Sequence, residues 1–258
     1  MTFVGQRHII TELYQMANAA RTGTNFNILL RAPSGYGKTT VGLLASSLFI
    51  GNNYRNAEYI VPNAEGHVKI LTERRLHFID EVHLLKDPEL LYPVMDSGRY
   101  IFILATNADG NLVEPLVNRC IHLIFMDYSD EELIEIIRAN YPGVSMLVAT
   151  EIVSNSHGNP RVAKVLANRL SIIIGKGILE DVENVRLIIR TVLQIQGGLD
   201  IMQRRYLQHL QIVERSSLES IAHALHVDKS TILRDIEPAL IYKHLIKISS
   251  RGRELIGG

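Results

Sequence analysis

The sequence predicts an α/β protein: a parallel sheet with helices on both faces, then a helical segment, then a small C-terminal domain. Three observations carry this. Over the first 125 residues, short apolar runs alternate with helical patterns, the arrangement that yields parallel strands joined by helices. From Ser129 onward the pattern is helical only. Gly197-Gly198 then punctuates the chain. These breaks divide it into residues 1–127, 128–197 and 198–258.

Taken in order, a first helix is expected around Ile9 to Ala20, and Asn27-Ile28-Leu29-Leu30 is an apolar run of strand length. A second helix begins at Lys38. Further strands are expected at Glu58 to Val61, Leu76 to Ile79, Ile101 to Ala105 and His122 to Phe125. Asp130-Glu131-Glu132 places acids where a helix N-terminus favours negative charge. After Gly198 come a short helix, a helix-turn-helix and a terminal hairpin. The paired helices are Ser217 to Leu225 and Ser230 to Tyr242, around the turn Val227-Asp228-Lys229.

Composition excludes several classes. Apolar residues make up 47% and charged residues 21%, so neither disorder nor a disulfide scaffold is favoured. Cys120 is the single cysteine and has no internal partner. No apolar run approaches the ~20 residues a bilayer requires, and no charged leader precedes an apolar segment. A cytoplasmic setting and no membrane partner are expected. Net charge is zero, so the surface as a whole is no nucleic-acid magnet. Basic residues nonetheless gather at the end, where Lys243, Lys247, Arg251 and Arg253 have no acid among them.

The chemistry concentrates at two places. Between Leu29 and Thr40 a Gly-rich turn joins an apolar strand to a helix, the context that a P-loop requires. Gly35 and Gly37 let backbone N–H groups face phosphate oxygens, the following helix presents its positive end, and Lys38 reaches the β- and γ-phosphates. Ser34, Tyr36 and Thr40 complete the expected ATP contacts, and Thr39 is expected to hold Mg²⁺ through its hydroxyl. Ala32 stands where the GxxxxGK[ST] pattern has its first glycine, a position that needs a small residue more than unusual dihedrals. The second place is Leu76-His77-Phe78-Ile79-Asp80-Glu81, an apolar strand ending in two carboxylates. Adjacent residues on a pleat point different ways, so the acids divide the work. Asp80 would enter the Mg²⁺ shell and Glu81 would polarise the attacking water.

These motifs resemble the AAA+ ATPases and, within them, the RuvB family of bacterial Holliday-junction branch-migration motors. The resemblance covers nearly the whole chain. Phe3-Val4-Gly5-Gln6 is similar to the family's adenine-contacting segment, which assigns Val4 and Gly5 to the nucleotide. Phe78 to His83 resembles its Walker B strand, and Leu90 to Met95 the helix that follows. Asn107 resembles sensor 1, which positions water near the γ-phosphate. Arg119 resembles the arginine finger. Arg161, behind Pro160 in Gly158-Asn159-Pro160-Arg161, resembles sensor 2 on a helical lid. An arginine finger acts across an interface, so the resemblance implies a ring, with a hexamer as the first expectation.

At the C-terminus the second helix of the pair takes the recognition position, making Lys229 and Arg234 candidate DNA contacts. Ser249 to Arg253 is similar to the family's wing, adding Arg251 and Arg253. Winged helices also dock proteins, so three readings stand. The first is an ATP-driven DNA motor or remodeller. The second is an ATP-switched loader or adaptor that recruits a helicase or another partner to DNA, and the third is a protein remodeller. One departure bears on partners. The long hairpin with which RuvB binds RuvA is replaced by Asp96-Ser97-Gly98-Arg99-Tyr100, so RuvA is not expected and another DNA-processing protein is the alternative.

Overall fold

The computed structural model describes residues 3–51, 57–70, 73–107, 112–175 and 180–256. The chain forms two compact units, Met1–Asp127 and Tyr128–Gly258.

In the first unit the order is α1 (Arg7–Arg21), β1 (Asn27–Arg31), α2 (Lys38–Ile50), β2 (Ala57–Ile60), β3 (Leu76–Ile79), α3 (Tyr92–Asp96), β4 (Ile101–Thr106), α4 (Glu114–Val117) and β5 (Ile121–Ile124). The strands lie in the order β2-β3-β4-β1-β5, all pairs parallel. Every residue of β4 is buried, as expected of a central strand covered on both faces. Gly42 of α2 lies directly on Phe78 of β3, where a Cβ would come within 2.3 Å of the ring. That close approach seats α2, and with it the start of the helix at Lys38, against the sheet.

The second unit opens with α5 (Asp130–Asn140), α6 (Met146–Ser154), α7 (Pro160–Ile174) and α8 (Val182–Thr191). Ser129 and Glu132 form a reciprocal capping box at the start of α5. Val148, Ile152, Leu166, Leu170, Val185 and Ile189 fill the space between these helices. Next come α9 (Ile201–Val213), β6 (Arg215–Ser216), α10 (Leu218–Leu225), α11 (Lys229–Thr231), α12 (Glu237–Tyr242), β7 (Ile246–Ser249) and β8 (Gly252–Leu255). β6, β8 and β7 form an antiparallel sheet in that order.

Two details differ from the sequence expectation. α11 and α12 are one helical run, as anticipated from Ser230 to Tyr242, but a wide π-type turn at Ile232–Ile236 joins them. Pro238, in the first turn of α12, has no N–H and its ring crowds the carbonyl four residues back, so the ladder widens there. β6 was not anticipated, because two residues carry no periodicity. Among the described residues no helix is long and apolar enough to cross a membrane.

Candidate nucleotide site and basic surface

The strand order explains how the nucleotide-site residues converge. β4 lies between β3 and β1, and the parallel register aligns Ile79 with Leu104 and Arg31 with Thr106. The segments leaving the C-terminal ends of these three strands are the glycine loop, Asp80-Glu81 and Asn107. They therefore share one edge of the sheet, the edge where parallel α/β sheets bind ligands.

Gly35 and Gly37 have φ of 90° and 92°, a left-handed geometry that a side chain would strain. The loop curls around the Lys38 amino group, which is buried and donates to the carbonyls of Ala32 and Pro33 at 2.8 and 2.9 Å. Thr39 donates its hydroxyl hydrogen to Asp80 at 2.6 Å. Tyr59, at the end of the neighbouring β2, donates to the same Asp80 oxygen at 3.2 Å. Burial, the Asp80 charge and that hydrogen bond raise the Tyr59 phenol above its ordinary range, so it stays a donor.

The two acids are separated by a turn and not by strand alternation. β3 ends at Ile79, and Glu81 has a left-handed φ of 51° while its N–H caps Asp80 at 2.9 Å. Asp80 is buried toward Thr39, whereas the Glu81 carboxylate lies 3.5 Å from His83 Nε2. His83 Nδ1 is in turn 3.3 Å from the Thr106 hydroxyl at the end of β4. Asn107 follows and is exposed. Tyr59 and His83 had no sequence signal of their own, since each depends on which strands are neighbours.

Arg119 is placed quite differently. It precedes β5, and its carbonyl accepts from Asn27 at the beginning of β1. The glycine loop leaves the other end of that five-residue strand, about 13 Å away at ~3.3 Å per residue. Arg119 thus lies at the opposite edge of its own sheet. Its guanidinium is held by Asp96 at 2.9 and 3.0 Å and by the Pro115 carbonyl at 2.7 Å.

Residues 1–119 match the family described as Holliday junction DNA helicase RuvB P-loop domain, and residues 196–256 match the RuvB C-terminal winged helix domain. The Holliday junction branch migration complex subunit RuvB of Granulibacter bethesdensis is 31% identical, covering 98% of this chain and 81% of the relative. The chain belongs to the RuvB family. The RuvB subunit of Mycoplasma pneumoniae is 28% identical over 97% of this chain and 92% of its own length. A structure of Thermotoga maritima RuvB, described as a Holliday junction branch migration motor, superposes with a TM-score of 0.83 at 26% identity, covering 99% of this chain and 93% of that chain. The anticipated parallel α/β P-loop core and C-terminal winged helix are therefore the RuvB fold, and the chain is a P-loop ATPase of that family.

The remaining candidate residues lie around this frame. Beside Val4 and Gly5, the Gln6 side chain pairs with the Met126 backbone in both directions, at 2.7 and 2.9 Å, fixing the N-terminal segment beside the end of β5. Tyr36 donates to Asp127 at 2.9 Å. In the second unit Asn159 caps α7, and Pro160 and Arg161 are its first two residues. Cys120 is half-buried, and burial pushes its thiol up to about 12, which makes it inert.

The winged helix treats its four candidate cations unequally. Lys229 pairs with Glu219, and Arg234 leans on its neighbour Asp235 at 2.7 Å. Both pairs are exposed. Arg253 lies in β8 and not in the turn, and donates to Glu237 at 2.9 Å. The side chain of Glu237 is only 2% exposed and also accepts from the buried Tyr206 hydroxyl at 2.8 Å. Arg253 is thus the counter-ion that permits a carboxylate in this core. Arg251 is exposed in the turn between β7 and β8.

Proposed function

We propose that this chain is the ATP-hydrolysing subunit of a ring, a hexamer in the simplest case, that moves or remodels branched DNA of the Holliday-junction kind. The observation that carries this reading is the opposed placement of the nucleotide groups and Arg119 on the two edges of one sheet. A chain built this way completes its hydrolytic site with Arg119 from a neighbour, so turnover requires assembly.

The residues fit ATP with Mg²⁺. Lys38 and the N–H groups of Ser34, Gly35, Tyr36, Gly37 and Thr40, at the start of a helix, would face the phosphates, and Val4 and Gly5 would border the base. Thr39 and Asp80 bring two hard oxygen donors together, which suits Mg²⁺. When bound, the cation neutralises charge on the phosphate oxygens. Glu81 polarises the attacking water and Asn107 orients it, while Arg161, behind Pro160 at the start of α7, would take the sensor 2 role that the resemblance implies. On this reading Arg251, exposed in the wing turn, and Lys229 and Arg234, once released from their exposed acidic partners, would make phosphate contacts that fix position without reading sequence.

RuvA is not the expected partner. Four residues, Ser97 to Tyr100, link α3 to β4, leaving no hairpin between them. The alignment with the Mycoplasma relative runs over 290 positions against 258 residues here, in keeping with a shortened chain. The reading is tested by measuring ATP turnover and junction migration on four-way and linear duplex DNA. Turnover that no DNA stimulates, with no junction movement, would favour the loader or adaptor reading, to which the internal pairing of Lys229, Arg234 and Arg253 also lends support.

A further inference from the structure

The helix after the Walker B segment has no part in the nucleotide site, yet it touches Arg119 on two sides. Tyr92 and Asp96 stand four residues apart on α3 and so share a face. The Tyr92 ring lies 4.3 Å from the guanidinium carbon, and Asp96 receives Nε and Nη2 through both oxygens. The Pro115 carbonyl takes a hydrogen from Nη1. A guanidinium has five N–H donors. Among the described residues three are used, and the two that remain are one on Nη1 and one on Nη2. One hydrogen from each terminal nitrogen is what a phosphate accepts from arginine in a bidentate pair.

We infer that Asp96 and Tyr92 form a cradle that presents Arg119 to the neighbouring subunit's ATP, making Asp96 a positioning residue for hydrolysis in trans. This rests on the reading of Arg119 as a residue acting across the interface. An arginine is long and flexible, and fixing it at the moment of reaction costs rotamer freedom. The cradle meets that cost in each protomer before the neighbour arrives. Asp96 also holds the guanidinium in a set plane while leaving one hydrogen on each terminal nitrogen without an acceptor among the described residues.

The test uses the full chain with ATP, Mg²⁺ and four-way DNA. Asp96→Ala should lower kcat about tenfold, since a small misplacement of a reacting group is costly, and leave the KM for ATP and the assembly state unchanged. Asp96→Glu, which keeps a carboxylate one methylene further out, should recover most of the loss. In an Arg119→Ala background Asp96→Ala should add nothing. Placement is tested by mixing wild type with Lys38→Ala subunits, with or without Asp96→Ala. These carriers have no turnover of their own, so a further drop on adding Asp96→Ala reports the neighbour's site. Unchanged or raised kcat in Asp96→Ala, with Arg119→Ala crippled, overturns the cradle alone, as does an equal loss in the Arg119→Ala background. A silent Arg119→Ala overturns the reading beneath it.

Discussion

The hydroxyl of Thr39 donates to the Asp80 carboxylate across 2.6 Å, joining the helix after the glycine loop to the end of β3. Glu81, one residue on, turns away toward His83. On the proposed reading, this geometry separates holding the nucleotide from hydrolysing it. Lys38→Ala should abolish ATP binding, because the buried ammonium proposed to offset the phosphate charge is gone. Glu81→Gln should keep ATP bound while turnover stalls, since an amide is a poor base. ATP affinity and turnover of both variants check this, and equal loss of binding would remove the division of labour.

Arg119→Ala should leave ATP affinity nearly intact and lower turnover by ~10³-fold or more, the range associated with arginine fingers. The Lys38→Ala protein keeps Arg119 and can lend it to an intact site. Mixing the two inactive variants should therefore restore some activity. Mixed assemblies that form yet show no turnover at any ratio would place Arg119 outside the neighbour's site.

The P-loop and the acidic pair were legible in the sequence because each is a contiguous segment whose chemistry needs only its own strand and helix. What was hidden depends on pairing across the chain. The cradle of Arg119 spans residues 92 to 119, and Tyr59 reaches Asp80 only because β2 borders β3. Arg253 looked like a free wing cation since no acid lies between it and Lys243. Its partner Glu237 is 16 residues earlier and buried, which no local charge count reveals. The π-type turn before Pro238 had a visible cause, but its effect on the helix required the backbone.

His157 links pH to the stability of the second unit. Burial, then the Lys243 charge, push its imidazole from 6.5 down to about 4, with Asp200 pulling the other way. Its buried Nδ1 has no hydrogen-bond partner among the described residues. Between these values the unfolded chain binds the extra proton, so this contribution is intact above pH 6.5 and is lost as pH falls toward 4. His157→Asn tolerates the left-handed φ of 52° and removes the titration. Its unfolding midpoint should fall by a few °C less than that of wild type over this range. Parallel melting curves across the pH series would refute the assignment.

Arg251 and Arg253, two residues apart on the wing, should behave oppositely. Arg251 is exposed in the turn, so Arg251→Ala should change stability by no more than ~0.5 kcal/mol. It should weaken DNA binding about equally on unrelated sequences and reduce the salt slope by about one unit, as loss of one phosphate contact does. Arg253→Ala instead strands the Glu237 carboxylate, leaving Tyr206 as its remaining hydrogen-bond donor among the described residues. Breaking a buried pair from one side costs about 3 kcal/mol or more. Adding Glu237→Gln, which removes the stranded charge, should return part of that loss. Denaturant unfolding and DNA titrations across a salt series separate the two roles. An Arg253→Ala protein of unchanged stability that alone flattens the salt slope would make Arg253 the DNA contact and Arg251 the bystander.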